Sequence, residues 1–573
     1  MYIETIPNRG SRPAVLLREA WREGQRVRKR TVANLTDWPT DQVETLRRVL
    51  KGETLVPADK AFVIERSLPH GHVEAVLLAM RRLGLAALLS SRRCRERDLV
   101  LAMLVEQVIH PCSKLATTRM WHTTTLAEEL AVAEADEDDL YAALDWLLAR
   151  QARIEQKLAR RHLGEGSLVL YDVSSSYFEG RHCPLARYGH NRDRKRGKAT
   201  IVYGVMTDGQ GRPVAVEVYP GNTGDPTTVP DQVQKLRERF GLTRIVLAGD
   251  RGMLTAAQIT KLRQYPGLGW ISALRSAAIR ELVESQQLQM SLFDERNLAE
   301  ITSPAYPGER LIACRNPYLA AERERKRQAL LAQTEQALRR ITCEVERRSR
   351  KVLTAGEIGL KVGRVIHRHK MAKHFRVEIG DGRLTWTSDE ESIARESALD
   401  GIYVIRTSEP RQSLTAEDTV RTYKSLSQVE RLFRTLKGID LRVRPIRHRT
   451  EDHVRAHVFL CMLAYYIEWY LRRALAPLLF DDEELPGERT LRDPVAPAQP
   501  SAAAKSKKEK RITEDGMTVQ SYETMLADLA TRCRNRCRVG DDPAAAAFDQ
   551  VTRATPLQAR VFELLDLYPV GGD

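Results

Sequence analysis

The stretch SLVLYDVSSSYF, residues 167–178, is a short apolar run that ends in an acid, Asp172, and a serine cluster. Such a run is typical of a strand buried within a sheet. Two β-rich segments joined by turn residues follow at 200–220. RIVLAGD, residues 244–250, is a second buried strand ending in an acid, and a helix and another strand come after it. The order strand, strand, strand, helix, strand, helix predicts a mixed α/β sheet.

Two acids stand at the carboxyl ends of these buried strands. Asp172 and Asp250 therefore lie where α/β sheets bind ligands, although a single acid there often caps a turn. A third acid, Glu430, lies on a segment with helical spacing. Three carboxylates held together repel one another unless a cation lies between them, and Mg²⁺ or Mn²⁺ suits such hard oxygen ligands. We expect these acids to be catalytic and to bind two such ions, as phosphodiester chemistry requires.

The segment around Glu430 reads RTYKSLSQVERLFRTLKGIDLRVRPIRHR, residues 421–449. A helical projection places four apolar residues on one core-facing side and predicts the helix end at Gly438. The four are Val429, Leu432, Phe433 and Leu436. Tyr423, Glu430 and Lys437 are seven residues apart, so they fall in one stripe along the edge of that side.

A basic flank adjoins this stripe. It is formed by Lys424, Arg431 and Arg434. We expect this flank, together with Tyr423 and Lys437, to bind the phosphate backbone of DNA. The alternative is an ordinary amphipathic helix with a solvated basic face.

Composition favours a polyanionic partner. Lys and Arg number 91 against 76 Asp and Glu, which gives a net charge of +15 and a pI near 9.4. No apolar run approaches the roughly 20 residues of a spanning helix, and the N-terminus resembles no signal peptide. We therefore expect double-stranded DNA as the partner, no membrane, and a cytoplasmic, nucleoid-associated protein. The eight cysteines are scattered, which predicts reduced thiols and no zinc site.

Changes of pattern along the chain predict six regions. These regions are a small β-rich N-terminal region at 1–60, a helical and DNA-binding region at 61–165, the first part of the α/β core at 166–275, a β-rich insertion with a basic helix at 276–410, the second part of the core at 411–480, and a flexible linker with a helical tail at 481–573. Within the insertion, LKVGRVIHRH at 360–369 is predicted to be a strand. Trp386 there either stacks on a base or is buried in a small local core.

These motifs together resemble the DDE transposases of bacterial insertion sequences, in the branch with a Tyr-Arg-Glu-Lys signature. That signature is Y-x2-R-x3-E-x6-K, which Tyr423, Glu430 and Lys437 match, while Leu426 stands where the family has Arg. LYDVSSSYFEG, IVLAGDRGM and PGNTGD are similar to family segments as well.

The resemblance implies a ribonuclease-H-like catalytic core with an insertion between the second Asp and the Glu. It also implies cleavage at the ends of an element and transfer of the freed 3′-hydroxyl to target DNA, in a homodimer or larger complex. Two other functions fit the same residues: a ribonuclease-H-like nuclease that does not join strands, and a catalytically silent DNA-binding regulator.

Overall fold

The structure, a computed structural model, describes residues 1–53, 61–348, 350–484, 487, 492–540 and 544–569. The chain divides into two compact units. One unit comprises Met1–Leu68 with Cys533–Thr552, and the other comprises Pro69–Arg532 with Arg553–Asp573.

The strands of the described residues, in chain order, are β1 Tyr2–Ile6, β2 Ala14–Glu23, β3 Arg26–Asn34, β4 Phe62–Pro69, β5 Ser167–Tyr177, β6 Thr200–Asp208, β7 Pro213–Pro220, β8 Ile245–Ala248, β9 Leu268–Ala273, β10 Leu298–Ile301, β11 Arg310–Arg315, β12 Phe375–Gly380, β13 Arg383–Ser388, β14 Ile402–Thr407, β15 Cys533–Val539 and β16 Ala547–Val551.

The α-helices of the same residues are α1 Thr40–Leu50, α2 Gly71–Arg82, α3 Leu85–Leu89, α4 Arg95–Ile109, α5 Lys114–Met120, α6 Leu126–Glu129, α7 Glu137–Leu148, α8 Gln151–His162, α9 Val229–Gln234, α10 Ala256–Leu262, α11 Ser276–Glu284, α12 Pro317–Arg347, α13 Ala355–His369, α14 Glu390–Ser397, α15 Ala416–Lys424, α16 Ser427–Lys437, α17 Glu451–Ala474, α18 Ala502–Lys510, α19 Tyr522–Ala530 and α20 Pro556–Leu567.

A large mixed sheet forms the centre of the second unit, and this confirms the α/β prediction. Its strand order is β10-β11-β14-β9-β8-β5-β6-β7. β5 pairs in parallel with β8, and β8 with β9, whereas β5, β6 and β7 are antiparallel neighbours. The β6–β7 turn closes on Asp208, whose carboxylate accepts from the backbone of Gln210 and Arg212.

Helices cover this sheet. The long helix α17 packs on β7 and on α16, and α4 and α7 pack on α17 in turn. α8 packs on β7, so the helices between 71 and 162 belong to the same compact unit as the sheet, although the sequence predicted a separate region there.

Among the described residues, no single helix is long and apolar enough to cross a bilayer. The pair Arg95–Ile109 and Lys114–Thr123, bent by 88°, meets the length and composition criteria only when the two are joined.

The stretch 276–410 differs from the predicted β-rich insertion. β10, β11 and β14 extend the large sheet beyond β9, so they do not lie outside it. Residues 360–369, predicted to be a strand, instead form part of α13, which also contains His367 and His369. The β-branched residues there suggested a strand. However, Ile358, Val362 and Ile366 recur every four residues and are buried, as on a helix face.

A small separate core lies within the same stretch. α12 and α13 enclose it with the β12–β13 hairpin. Trp386 is partly buried there, with its ring edge-on to Phe375 at 6.0 Å and its Nε1 donating to Thr342 at 3.3 Å. These contacts favour the burial of Trp386 over a role in stacking on a base.

For the region 481–573, the prediction of a flexible linker is wrong for much of its described part, whereas α19 and α20 agree with the predicted helical tail. Val495 is buried, and its carbonyl accepts from the side-chain amide of Asn316 at 2.9 Å, so this segment is held against the core. Further along, β15 and β16 form a sheet with β4 in the N-terminal unit. The parts of the predicted linker at 485–486 and 488–491 lie outside the described residues.

Candidate active site

Strand register brings the first two acids side by side. β5 and β8 are parallel, and their last paired residues are Leu170 and Ala248. When the same pairing register is extended by two residues along both strands, Asp172 lies beside Asp250. The backbone turns sharply after Asp250, since its carbonyl accepts from the N–H groups of Met253 and Leu254 at 3.0 Å each.

Asp172 occupies a poorly solvated position. Burial raises the pKa of its carboxyl to about 7, and the negative charges of Asp250 and Asp225 act in the same direction. The backbone N–H of Val173 and the guanidinium of Arg192 oppose this rise. A cation beside Asp172 would therefore replace a proton that burial favours.

The third acid lies on α16, which packs across β5 and β6. The predicted apolar face is confirmed, because Val429, Leu432 and Leu436 are fully buried and the ring of Phe433 lies edge-on to Tyr203 at 5.8 Å. Glu430, in the first turn, is exposed at the margin of that face.

The helix around Glu430 is interrupted, which the projection did not predict. α15 ends at Lys424 and α16 begins at Ser427. The N–H of Leu426 bonds to the carbonyl of Tyr423 three residues back, and the hydroxyl of Ser425 donates to Thr422. This tight turn separates Tyr423 from the helix that contains Glu430 and Lys437, while Leu426 packs against the core.

The phenol of Tyr423 nevertheless interacts electrostatically with all three acids. Burial raises the pKa of Tyr423 to about 12, and the charges of Asp250, Glu430 and Asp172 act in the same direction. The charges of all three carboxylates therefore act on this one hydroxyl.

Lys437 has protein partners. Its Nζ donates to the carbonyl of Ser175 at 2.6 Å and to Asp193 Oδ1 at 3.2 Å. Arg444 also donates to Asp193, and the other oxygen of Asp193 accepts from the N–H of Tyr177 at 2.9 Å. Lys437 therefore anchors the basic loop 191–198 to the end of β5.

Two further residues at this site, Asp193 and Arg192, were not predicted from the sequence. Asp193 lies inside the run RDRKRGK, where a single acid among basic residues gave no signal. Arg192, its neighbour, pairs with Asp225 at 2.5 Å and lies near Asp172. The PGNTGD motif that contains Asp225 was a usable signal.

Arg431 and Arg434 line a cleft of about 900 Å³ between α16, α17 and α20. Trp469 and Gln210 also line it. Within the described ranges, the guanidinium groups of Arg431 and Arg434 have no ion-pair or hydrogen-bond partner in the protein, so both can bind an anion. Lys424, predicted to share this role, instead donates to the carbonyls of Val495 and Ala496 at 3.3 and 3.2 Å.

The ligand oxygens of Asp172, Asp250 and Glu430 do not all lie within 4.8 Å of one another. Among the described residues, the group of three acid, His or Cys side chains whose ligand atoms all lie within 4.8 Å of one another is elsewhere, at Glu106, His110 and Cys112. His457, on α17, has its Nε2 3.2 Å from the carbonyl oxygen of Val443.

Comparisons with known proteins identify the family of the chain. Residues 164–467 match the family described as "Transposase DDE domain", and residues 3–58 match "IS1634 family transposase, N-terminal domain". No curated protein matches the chain.

Among solved structures, one similar chain is described as "Cryo-EM structure of piggyBac transposase synaptic complex with hairpin DNA". It shares 11% identity with a TM-score of 0.35, over 80% of this chain and 77% of that one. Such low similarity does not indicate a common function.

The DDE domain match spans β5 to α17 and so includes Asp172, Asp250 and Glu430. It covers more than half of the 573 residues. The chain therefore belongs to the DDE transposase family of bacterial insertion sequences and is a DNA transposase.

Proposed function

We propose that Asp172, Asp250 and Glu430 are the catalytic acids with which this transposase cleaves the ends of its element and joins the freed 3′-hydroxyl to target DNA. The observation that carries the proposal is the position of Asp172 and Asp250 at the ends of the neighbouring parallel strands β5 and β8, with Glu430 on α16, which packs across β5. The order β7-β6-β5-β8-β9, with β5, β8 and β9 parallel, supports a ribonuclease-H-like core.

DDE transposases use divalent metal ions. The donor set here fits such ions, because it consists of carboxylate oxygens and one of them is buried beside a second acid. We propose that Asp172, Asp250 and Glu430 hold two Mg²⁺ or Mn²⁺ ions. When bound, the ions would activate the attacking oxygen and stabilise the leaving one.

The protein side chains bind and orient the DNA. Arg431 and Arg434, which have no protein partner in the described residues, bind phosphate oxygens of the backbone. Tyr423 offers a hydroxyl donor beside the acids. Lys437 and Lys424 act less directly, since Lys437 holds the loop next to Asp172 and Lys424 holds the segment at Val495.

The proposal extends to the assembly. Both ends of an element must be processed together, so we propose a homodimer or larger complex that forms on DNA. Sedimentation of the protein with and without a duplex that carries the element ends measures this directly. DNA binding of this kind would place the protein on the nucleoid.

The triad is tested by Asp172→Asn, Asp250→Asn and Glu430→Gln. We expect each change to reduce strand cleavage in Mg²⁺ at least about a thousandfold, because bound metal contributes several kcal/mol to the transition state. The substrate is the DNA that flanks the gene, including its terminal repeats. Affinity for that DNA, measured by fluorescence anisotropy, should stay within a fewfold of wild type.

The matched control is Asp138→Asn, which changes an exposed acid at the start of α7 and should leave cleavage intact. A triad variant that cleaves at the wild-type rate removes its residue from the site. Cleavage without joining by the wild-type protein would favour the nuclease, and binding without cleavage would favour the silent regulator.

A further inference from the structure

A second cluster of ligand-type side chains lies far along the chain from the triad, at the end of α4. Glu106 is in the last turn of this helix, His110 follows the helix end, and Cys112 comes after Pro111. Their ligand atoms all lie within 4.8 Å of one another. The scattered cysteines predicted no zinc site, so this group was not expected from the sequence.

Glu106 makes the group unusual. Its side chain is only 3% exposed, and its Oε2 is buried with no hydrogen-bond partner in the described residues. A buried carboxylate oxygen left without a partner costs free energy, so the position calls for a donor or a cation. His110 Nδ1 lies 3.4 Å from Glu106 Oε1, and Cys112 Sγ lies 4.0 Å from the same oxygen.

We propose that Glu106, His110 and Cys112 bind one Zn²⁺ ion. Zinc bonds to nitrogen and oxygen are about 2.0 Å long and bonds to sulfur about 2.3 Å, which in a tetrahedron separates the ligand atoms by about 3.3–3.5 Å. The observed 3.4 and 4.0 Å therefore need only a small contraction around an ion.

Ligand chemistry and charge identify the ion. A thiolate with an imidazole and a carboxylate suits zinc, whereas Mg²⁺ and Ca²⁺ prefer oxygen ligands alone. One carboxylate, one thiolate and one neutral imidazole together cancel the charge of Zn²⁺.

The cluster leaves room for a fourth ligand. The His110 side chain is 52% exposed, so solvent reaches the site and water can complete the tetrahedron. The ion would join the end of α4 to the segment that leads into α5, where Cys112 also contacts Thr117 Oγ1 at 3.4 Å. We assign this zinc a role in holding these two helices, separate from catalysis.

The experiment uses the full chain with Asp172→Asn, Asp250→Asn and Glu430→Gln, so that the triad acids cannot hold zinc. The protein is stripped with a chelator, exposed to Zn²⁺ and analysed for bound metal by mass spectrometry after gel filtration. We expect one zinc ion per chain. Cys112→Ser, Glu106→Gln and His110→Ala should each weaken binding at least about 100-fold, more than the loss of a supporting group.

Two control changes should leave zinc bound. Cys343→Ser removes an exposed thiol on α12, and His367→Ala removes an exposed imidazole on α13. Cobalt in place of zinc should give a thiolate-to-metal absorption band that Cys112→Ser abolishes and Cys343→Ser retains.

His110 is exposed, so His110→Ala is the decisive variant if the proteins with changes at Glu106 and Cys112 fail to fold. Unchanged zinc content in that variant, or no zinc bound by the unchanged cluster, overturns the proposal. Neither result would bear on cleavage by the triad, since the two sites are tested separately.

Discussion

At the scale of single residues, Asp193 gives the loop beside Asp172 its fixed position. Its side chain is 1% exposed, and it is paired with Lys437 and Arg444 while it accepts from the backbone of Tyr177. Sequence reasoning could not find this role, because the two cationic partners lie 244 and 251 residues away along the chain. In contrast, the strand-end positions of Asp172 and Asp250 could be predicted from local pattern alone.

Asp193→Ala should therefore destabilise the protein and impair cleavage together. Removing one member of a buried ion pair costs about 3 kcal/mol, since it leaves Lys437 without its counter-charge. Thermal unfolding and cleavage rate measured on the same preparation provide the check. The control is Arg196→Ala in the same loop, an exposed position where no change is expected. A normal melting temperature for Asp193→Ala would show that this network does not hold the loop.

At the scale of elements, the apolar face of α16 was predictable because its spacing repeats with the helical period. The break at Ser425 and Leu426 was not predictable, because the seven-residue spacing in the sequence is the same whether or not a turn interrupts the helix. The strand predicted at 360–369 failed for a related reason. β-branched residues favour strands on average, but their spacing of four places them on one face of α13.

Gly438 and Gly363 form a contrasting pair for these helices. A Cβ at Gly438 would lie 2.8 Å from the carbonyl oxygen of Arg434, so Gly438→Ala forces the end of α16 to shift and should cost about 1–3 kcal/mol. Gly363, inside α13, has no atom within 4 Å of such a Cβ, so Gly363→Ala should stabilise by about 1 kcal/mol. Denaturant unfolding of both variants measures whether the free energy of unfolding falls for Gly438→Ala and rises for Gly363→Ala. A stabilised Gly438→Ala protein would contradict the close approach at the helix end.

At the scale of the whole molecule, the net charge of +15 should make DNA binding strongly dependent on salt. We expect affinity to fall at least about tenfold between roughly 50 and 200 mM salt, because bound cations are released from DNA as phosphates are neutralised. Arg431→Ala with Arg434→Ala should lower the slope of log affinity against log salt by about 1.8. Titrations at several salt concentrations provide both numbers.

The charge-matched control is Arg323→Ala with Arg325→Ala, two exposed positions on α12 outside the cleft. If both double variants lower the slope equally, the loss reflects net charge and the cleft has no special role. If neither lowers it, the charge that binds DNA lies elsewhere on the surface.

The sheet formed by β4, β15 and β16 has a consequence for how the protein is made. β4 ends at Pro69, whereas its partner strand β15 begins at Cys533, so the two strands leave the ribosome far apart in time. At about 5–20 residues per second, translation needs roughly half a minute to a minute and a half to span that gap. Throughout this interval the nascent N-terminal unit exposes an unpaired strand edge. A transcript cut short before codon 533 would leave that edge open permanently, so premature termination should yield protein that chaperones and proteases recognise.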